Sequence, residues 1–346
     1  MREIPPIKTL IFPTLLLVAI FFYQFTAQSE IKLASFEGKA LGTTYSVQVA
    51  YHQKNQKAPD QKGIEKAIDL VNQSMSTYLK DSELSKLNQA PIDQAIKISL
   101  ELEYVLKASL ELYLQSQGVF DMTIGPLVNL WGFGPDHRTT LPSKDEILAL
   151  LPNIGSQWIG IQDNTLIKKK AVYCDLSAIA KGYAVDQVGR YLSAQGYTQF
   201  WVEIGGEVLV KGEHPDHRPW KAGVEHPGEN EKFIYRIIPL KDISLATSGD
   251  YRNFVMDGDI RRSHTIDPRT GYPITHELAS VSVLHPENMW ADGWATALNV
   301  LGPEEGMKLA NKMNLPVMMI VRKAGQSYET IESNAFSDYL KQFPNF

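Results

Sequence analysis

The longest run of apolar positions in the sequence lies at the N-terminus, in residues 10–25. This run is longer than the apolar core of a typical signal peptide and shorter than the roughly 20 residues of a membrane-spanning helix. Residues 1–30 are therefore predicted to be either a cleaved signal peptide or an uncleaved membrane anchor. The anchor is favoured because cleavage after Ala27 would place the bulky Phe25 where a small residue is needed.

Beyond residue 30 the apolar positions switch between the two-residue period of strands and the 3.6-residue period of helices. Strands are predicted at 36–51, 165–174, 198–204, 207–211, 233–256 and 279–284. Helices are predicted at 64–75, 98–117, 180–195 and 288–301, and a helix–strand unit at 304–321 precedes a polar tail. Because strands and helices follow each other without regular alternation, the predicted fold class is α+β. No repeat or low-complexity linker interrupts residues 31–346, which are expected to form a single compact domain.

The composition excludes several classes of function. The chain has 34 Lys and Arg residues against 39 Asp and Glu, a net charge of −5, which provides no basic surface for nucleic acid. Its one cysteine, Cys174, can close no intramolecular disulfide, and no Cys-x-x-Cys pair exists to bind zinc or an iron–sulfur cluster. Any bound metal is therefore expected to have oxygen or imidazole ligands.

The segment 175–183 (DLSAIAKGY) is a candidate site for an anionic ligand. Its small residues let a ligand approach the backbone, and the start of the following helix offers free amide groups to an anion. Lys181 adds a cation in the first helical turn, where the helix dipole disfavours it unless an anion is near. The alternative is structural: Asp175 or Ser177 caps the helix and Lys181 is solvated.

The segment 290–297 (WADGWATA) is a candidate metal site. Asp292 and Thr296 are four residues apart, so their side chains share one face of a helix. Two hard oxygen donors suit Mg²⁺, which keeps several coordination positions for water and phosphate. The spacing also arises by chance, and Asp292 could simply favour a helix N-terminus.

A third candidate is His264, which lies among Ser, Thr, Asp and Arg residues in 263–271. The sequence Asp267-Pro268 followed by Gly271 predicts a turn that directs His264 from a strand end. The neighbouring polar groups could orient the imidazole as a general base. The alternative is that His264 is a packed or surface residue, as lone histidines more often are.

Aromatic residues stand next to glycines in 118–123 and 131–134, and segment 75–78 adds a tyrosine. Such residues could form a flat wall against a ring-shaped ligand, although core packing explains aromatic residues more often. His214 and His217 have the spacing of metal ligands, but their Pro- and Asp-rich loop indicates surface residues.

Taken together and in order, eight segments resemble the ApbE family of FAD:protein FMN transferases. They are GTTYSV, MSTY with SELSKLN, GVFDMTIGPLVNLWGFG, DLSAIAKGYAVDQV, EIGGEVLVKG, ATSGDYRN, SHTIDPRTGYPI and ADGWATAL, and they span about residues 38–302. The resemblance implies a Mg²⁺-dependent enzyme that moves the FMN half of FAD onto a Thr or Ser hydroxyl of a target protein and releases AMP.

The resemblance also implies roles for individual residues. The metal would be bound by Asp292 and Thr296, with backbone oxygens of Ala178 and Ala295. His264 would be the catalytic base. FAD would contact the remaining positions, which are Leu41, Tyr78, Val119, Phe120, Asp121, Asp175, Lys181 and Ile266. Leu41 stands where relatives often have Met, a swap that conserves volume.

Two alternatives to the transferase remain at this stage: an FAD pyrophosphatase that yields FMN and AMP, and a non-catalytic periplasmic flavin-binding protein. The family implies acceptors among subunits of sodium-pumping quinone reductases or Rnf-type complexes. The N-terminal segment predicts export to the periplasmic face of a bacterial inner membrane. Because no cysteine directly follows the apolar run, a lipoprotein anchor is excluded.

Overall fold

The computed structural model describes residues 31–136, 138–228, 233–249, 254–257, 260–324, 327–344 and 346. The predicted membrane segment, residues 1–30, lies outside the described residues. Within the described ranges, no helix combines the length and the apolar character that crossing a membrane requires.

The strands are named in chain order. They are β1 (Ile31–Ala40), β2 (Thr43–His52), β3 (Ile96–Lys97), β4 (Ile159–Gln162), β5 (Thr165–Lys168), β6 (Gln199–Ile204), β7 (Glu207–Lys211), β8 (Trp220–Glu225), β9 (Ile234–Leu240), β10 (Ser244–Gly249), β11 (Phe254–Asp257), β12 (Ile260–Ser263), β13 (Leu278–His285), β14 (Val317–Arg322) and β15 (Tyr328–Glu332). The helices are α1 (Gln61–Met75), α2 (Glu83–Gln89), α3 (Leu100–Gln115), α4 (Gly125–Leu130), α5 (Lys144–Leu150), α6 (Ala180–Ala194), α7 (Asn288–Leu301), α8 (Pro303–Lys312) and α9 (Asn334–Leu340).

Eight strands of the described part form one sheet in the order β1-β2-β6-β7-β10-β13-β14-β15. Every neighbouring pair in this sheet is antiparallel. Smaller sheets pair β3-β5-β4, β8-β9 and β11-β12. The strand order places β7 and β10 at the centre, and the two strands pair through Leu245 and Val208.

Helices cover one face of the large sheet. Successive strand residues point to opposite faces, and on this face Val47, Val202 and Val281 belong to the same buried cluster as Val185 of α6 and Leu298 of α7. The two helices that carry the candidate motifs are therefore anchored directly against the sheet.

The opposite face carries a second core. Val210, Leu245 and Ile320 cluster there with Trp220 of the β8–β9 hairpin and Phe336 of α9. The sheet is thus covered on both faces, which fixes its register, since a one-residue slip would move each apolar set to the wrong face.

Most of the predicted elements are present, and the α+β single-domain fold is confirmed. The helices predicted at 64–75, 98–117, 180–195 and 288–301 are α1, α3, α6 and α7. The strand predicted at 36–51 is a hairpin of β1 and β2, because Leu41 and Gly42 have φ values of 52° and 75° and form its two-residue turn.

Two predictions about the chain were wrong. The strand predicted at 165–174 ends at Lys168, after which the amide of Lys169 bonds to the carbonyl of Trp158 and the chain leaves the sheet. The predicted polar tail contains β15 and α9. Phe336 and Tyr339 of α9 are buried against the second face of the sheet, and this packing overrides the polar composition.

Candidate functional site

Several of the candidate motifs come together at one end of strands β2, β6 and β7 of the large sheet. The β1–β2 turn at Leu41 lies beside the β6–β7 turn, where the amide of Gly205 donates to the carbonyl of Thr44 at 3.0 Å. Glu207 follows the second turn directly and begins β7. Lys181, in the first turn of α6, reaches Glu207 with its side chain.

Asp292 joins the 175–183 loop to α7. Its Oδ2 atom accepts a hydrogen bond from the amide of Gly182 at 3.0 Å, so a carboxylate of α7 caps the start of α6. The N-cap residue of α6, Ile179, contributes no side-chain cap of its own. A side chain at 182 would lie 2.5 Å from the carbonyl oxygen of Asn288, so only glycine permits this approach.

Asp186 makes the reciprocal interaction: a carboxylate of α6 caps the start of α7. This residue of α6 accepts hydrogen bonds from the amides of Asn288 and Met289, at 2.8 and 2.9 Å, in the first turn of α7. The N-cap residue of α7, Glu287, makes no side-chain cap. The two helices therefore cap each other. Burial raises the pKa of Asp186 to about 7. The two hydrogen bonds from the backbone amides oppose this rise, because they favour the charged carboxylate.

The predicted metal ligands fit a small divalent cation. Because the amide of Gly182 bonds to Asp292 and not to the carbonyl of Ala178, that carbonyl oxygen accepts no hydrogen bond from the described residues. Thr296 lies one turn after Asp292 on the same helical face, and its hydroxyl bonds to no side chain or loop atom in the described ranges. Ala295 is buried beside it. Carboxylate, hydroxyl and carbonyl oxygens of this kind suit Mg²⁺.

Groups of three or more His, Cys, Asp or Glu side chains that could hold a metal are absent from the described residues. The predicted set contains one such side chain, that of Asp292, and takes its other oxygens from a hydroxyl and the backbone.

Lys181 lies between two buried carboxylates. Its Nζ atom is 2.6 Å from Glu207 Oε1 and 3.4 Å from Asp292 Oδ1. Burial by itself lowers the pKa of Lys181, but the Asp292 and Glu207 charges outweigh it and hold that pKa above its ordinary value. Burial raises the pKa of Glu207 to about 7, although Lys181 opposes this change. The structural alternative of a solvated lysine does not describe Lys181: its side chain is 31% exposed, but its ammonium group is paired with two buried carboxylates.

Glu207 and Asp186 were not predicted as site residues. Glu207 lies in the segment EIGGEV, where an acidic residue directly after a Gly-Gly turn was the available signal. Asp186 lies inside a predicted helix, at a position that should be apolar if it faced only the core. Asp186 is buried, and a buried carboxylate requires a partner.

Asp175 connects the loop to the predicted flavin wall. Its side chain accepts from the amide of Ser177 at 2.8 Å, and its own amide donates to the carbonyl of Met122. Burial raises the pKa of Asp175. The ring of Tyr78 is 59% exposed, and its hydroxyl donates to the carbonyl of Phe133 at 3.3 Å. Partial burial and the charge of Asp175 raise the pKa of Tyr78.

Three of the predicted FAD contacts have side chains that are already engaged. Val119 and Phe120 are buried. Asp121 accepts from the hydroxyls of Thr123 and Ser156, each at 2.7 Å, and from both of their amides. At these positions the backbone is the group left to meet a ligand.

His264 follows β12, and its ring meets that of Phe133 edge-on at a centroid distance of 6.2 Å. The predicted turn is present, since the amide of Gly271 donates to the carbonyl of Asp267 at 2.8 Å. Trp131 fixes this turn by donating to the carbonyl of Gly271 at 2.8 Å. Ile266 is buried in a small cluster with Trp131, so the segment that follows His264 is held in place.

Asn299 holds the same segment from α7. Its Nδ2 atom donates to the hydroxyls of Ser248 and Thr265, at 3.1 and 3.4 Å. Thr265 is the residue after His264. Residues 250–253, which belong to the ATSGDYRN segment of the family resemblance, lie outside the described residues.

The remaining candidates are structural. His214 interacts with Asp216 and Arg218 in a surface turn. Cys174 is fully buried, and burial raises the pKa of its thiol to about 12, so the thiolate that binds metals or reacts does not form at neutral pH.

Comparison with known proteins places the site in context. Residues 41–319 match the model described as the ApbE family. An FAD:protein FMN transferase of Vibrio cholerae is 41% identical over 310 residues, which cover 88% of this chain and 92% of that protein. An FAD:protein FMN transferase of Haemophilus influenzae is 40% identical over 325 residues, with 89% and 92% covered.

Solved structures agree with these relatives. The flavin transferase ApbE of Vibrio cholerae superimposes with a TM-score of 0.82 at 39% identity, and the match covers 89% of this chain and 99% of that one. The apo form of the Pseudomonas stutzeri flavinyl transferase ApbE gives a TM-score of 0.80 at 35% identity, with 89% and 96% covered.

Proposed function

Because the chain belongs to the ApbE family, we propose that it transfers the FMN half of FAD to a Thr or Ser hydroxyl of an acceptor protein. The family membership confirms the resemblance carried by the eight sequence segments. The observation that supports the proposal most directly is the contact between Asp292 of α7 and the 175–183 loop. That contact brings a metal-type carboxylate, a lysine and a helix start to one point.

In the proposed reaction the acceptor oxygen forms a bond to the FMN phosphorus, and the bond from that phosphorus to the AMP oxygen breaks. The hydroxyl proton goes to His264, and AMP leaves as its phosphate. Asp292 and Thr296 would hold Mg²⁺ together with the backbone oxygens of Ala178 and Ala295. The chemistry that a bound Mg²⁺ supplies is neutralisation of pyrophosphate charge.

The other residues bind and orient FAD. Lys181 offers an ammonium group to the phosphates, and the start of α6 offers amides. Leu41 and Tyr78, with Phe133, present apolar surface to the flavin ring. The backbone of 119–121 and the residues Asp175 and Ile266 complete the predicted contacts.

The test uses the purified full chain with FAD, Mg²⁺ and an acceptor protein that carries a single Thr site. We expect AMP release together with a fluorescent acceptor band, and both should disappear with EDTA. FMN that stays free with excess acceptor would indicate an FAD pyrophosphatase instead. Bound FAD without either product would indicate a non-catalytic flavin-binding protein.

We further propose that the domain works on the periplasmic face of the inner membrane. The apolar run at residues 10–25 supports export, and the poor cleavage site supports retention as an anchor. Suitable acceptors would then be exported parts of membrane redox complexes, such as sodium-pumping quinone reductases or Rnf-type complexes. The mass of the mature N-terminus in membrane and soluble fractions tests this, and a cytoplasmic location of the full-length chain would contradict it.

A further inference from the structure

Glu207 is a buried carboxylate to which the proposed reaction assigns no role. The residue is 3% exposed. Its Oε1 atom receives the ammonium group of Lys181 at 2.6 Å, whereas its Oε2 atom has no hydrogen-bond partner in the described part of the chain. A buried carboxylate oxygen without a partner is costly, so its retention beside the candidate metal site calls for an explanation.

The hairpin that carries Glu207 fixes where its carboxylate lies. Gly205 and Gly206, with φ values of 62° and 102°, form the tight turn between β6 and β7. Glu203 accepts a hydrogen bond from the amide of Gly206 at 2.6 Å, and Ile204 pairs with Glu207 across the hairpin. The side chain therefore starts from a rigid position at the strand end.

Lys181 is shared unevenly between its two carboxylate neighbours. The distance from its Nζ atom to Glu207 is that of a short, charge-assisted hydrogen bond, whereas the 3.4 Å distance to Asp292 Oδ1 is long for one. One ammonium group between two carboxylates leaves one negative charge uncompensated. Since buried charge is stable only when it is paired, this cluster favours an additional cation.

The ammonium group and a divalent cation would both be attracted to the same atom, Asp292 Oδ1. A lysine with Asp292 as its only carboxylate partner would move onto that oxygen and compete with the metal. We propose that Glu207 is a positioning residue that holds Lys181 away from Asp292 Oδ1 and so keeps this oxygen open to a divalent cation. The identity of the cation as Mg²⁺ rests on the proposed function, but the competition does not.

The experiment measures cation affinity directly and without FAD, so that any contact between Lys181 and FAD does not contribute. Mn²⁺ is the probe. Its binding is measured from the decrease in the electron-spin-resonance signal of free Mn²⁺, and Mg²⁺ is added as the competitor. The proteins are the full chain and its variants Glu207→Gln, Lys181→Met and the double variant that carries both changes.

Competition predicts a specific pattern. Glu207→Gln should weaken Mn²⁺ and Mg²⁺ binding by roughly tenfold or more, because the freed ammonium group pairs with Asp292. Lys181→Met should not weaken binding. The double variant should bind about as tightly as Lys181→Met alone, so the second change rescues the first. A Glu207→Asp variant, whose shorter side chain holds Lys181 less well, should lie between the unaltered protein and Glu207→Gln.

Glu203→Gln is the matched control, since it makes the same substitution in the same hairpin and should leave cation affinity unchanged. Thermal unfolding of each variant reports whether it is folded, and Glu207→Asp carries the test if Glu207→Gln is not.

Three results would overturn the proposal. One is an unchanged cation affinity in Glu207→Gln. Another is a double variant that binds the cation as weakly as Glu207→Gln does; this second result would mean that Glu207 is a ligand or a purely structural residue. The third is an unaltered protein that binds no Mn²⁺. Transfer of FMN by the unaltered protein is measured separately, so a failure of the proposed function would be recognised apart from a failure of this inference.

Discussion

Asp186 and Asp292 play reciprocal roles in a pair of helices, but the two carboxylates differ in whether an oxygen atom remains available to a ligand. Each is a buried carboxylate that caps the helix opposite its own. Asp186 uses both oxygens on the amides of Asn288 and Met289. Asp292 uses one oxygen on Gly182, and its other oxygen has only the long contact with Lys181.

The two carboxylates make the same kind of helix cap, but they differ in whether an oxygen remains for a ligand. A carboxylate with both oxygens bonded to amides stabilises a helix start and has little left to offer a ligand. A carboxylate with one oxygen in a cap is held in place by that bond while its other oxygen can bind a cation. The cap of α6 is thus also the support that would orient Asp292 as the proposed metal ligand.

The largest effect should follow from removing the uncommitted oxygen. Asp292→Asn keeps one acceptor for Gly182 and removes the charge that attracts the metal. We expect FMN transfer to fall by a factor on the order of 10²–10³, which corresponds to several kcal/mol of lost transition-state stabilisation. Initial rates of AMP release at saturating FAD and a range of Mg²⁺ concentrations measure it. Unchanged Mg²⁺-dependent turnover would remove Asp292 from the metal site.

The same substitution in its counterpart should affect stability instead. Asp186→Asn keeps one acceptor for two amides, so one cap bond of α7 is lost, and we expect a cost of about 2 kcal/mol in the free energy of unfolding. Urea denaturation gives this value, and transfer rates at low temperature should stay near those of the unaltered protein. A large loss of activity in a fully folded Asp186→Asn variant would contradict the distinction.

Two asparagines of α7 extend the comparison to neutral side chains. Asn288 and Asn299 are both fully buried, and each donates its amide twice: Asn288 to the carbonyls of Val208 and Leu245, Asn299 to Ser248 and Thr265. We expect Asn299→Ala to lower kcat about tenfold with little change in the KM for FAD. The reason is that Asn299 holds Thr265, the residue next to the proposed base His264.

Asn288→Ala serves as the control for that experiment. It should cost a similar amount of stability, since it also leaves a cavity and broken hydrogen bonds, while kcat stays close to that of the unaltered protein. Equal losses of kcat in both variants would mean that Asn299 acts only through stability.

The smallest effect concerns Glu146, a helix-capping carboxylate that is exposed to solvent. Glu146 and Ser143 form a capping box at the start of α5, and hydrogen bonds from Arg138 and Ser143 hold the pKa of Glu146 down at about 2. Because this pKa is below that of the unfolded chain, the stabilisation is complete above about pH 4.5 and is lost as the pH falls toward 2.

Glu146→Gln should remove this pH dependence from α5. Hydrogen exchange of the α5 amides between pH 5 and pH 2.5, corrected for the intrinsic rates, would detect it. An identical dependence in the variant would show that another group titrates.

Local patterns in the sequence predicted the elements and part of the site. The apolar periodicity of 288–301 predicted α7, and the four-residue spacing predicted that Asp292 and Thr296 share one helical face. The turn at Asp267 was equally local. These features depend on residues that are near each other in the chain, so a single sequence contains the information.

Contacts between distant elements could not be predicted in this way. Glu207 acquires its role because β7 lies beside α6 and α7, and Asp186 acquires its role from the first turn of a helix about a hundred residues away. The α9 helix was not predicted for the same reason. Its apolar residue Phe336 is buried only by contact with the second face of the sheet, which is formed by distant parts of the chain.

The reciprocal caps also have a consequence for folding. Neither α6 nor α7 supplies a side-chain cap at its own N-cap position, so each first turn is completed only when the other helix has docked. The two helix starts should therefore form and open as one cooperative unit. Since Asp292 belongs to that unit, the proposed metal ligand would take up its orientation only after both helices are in place.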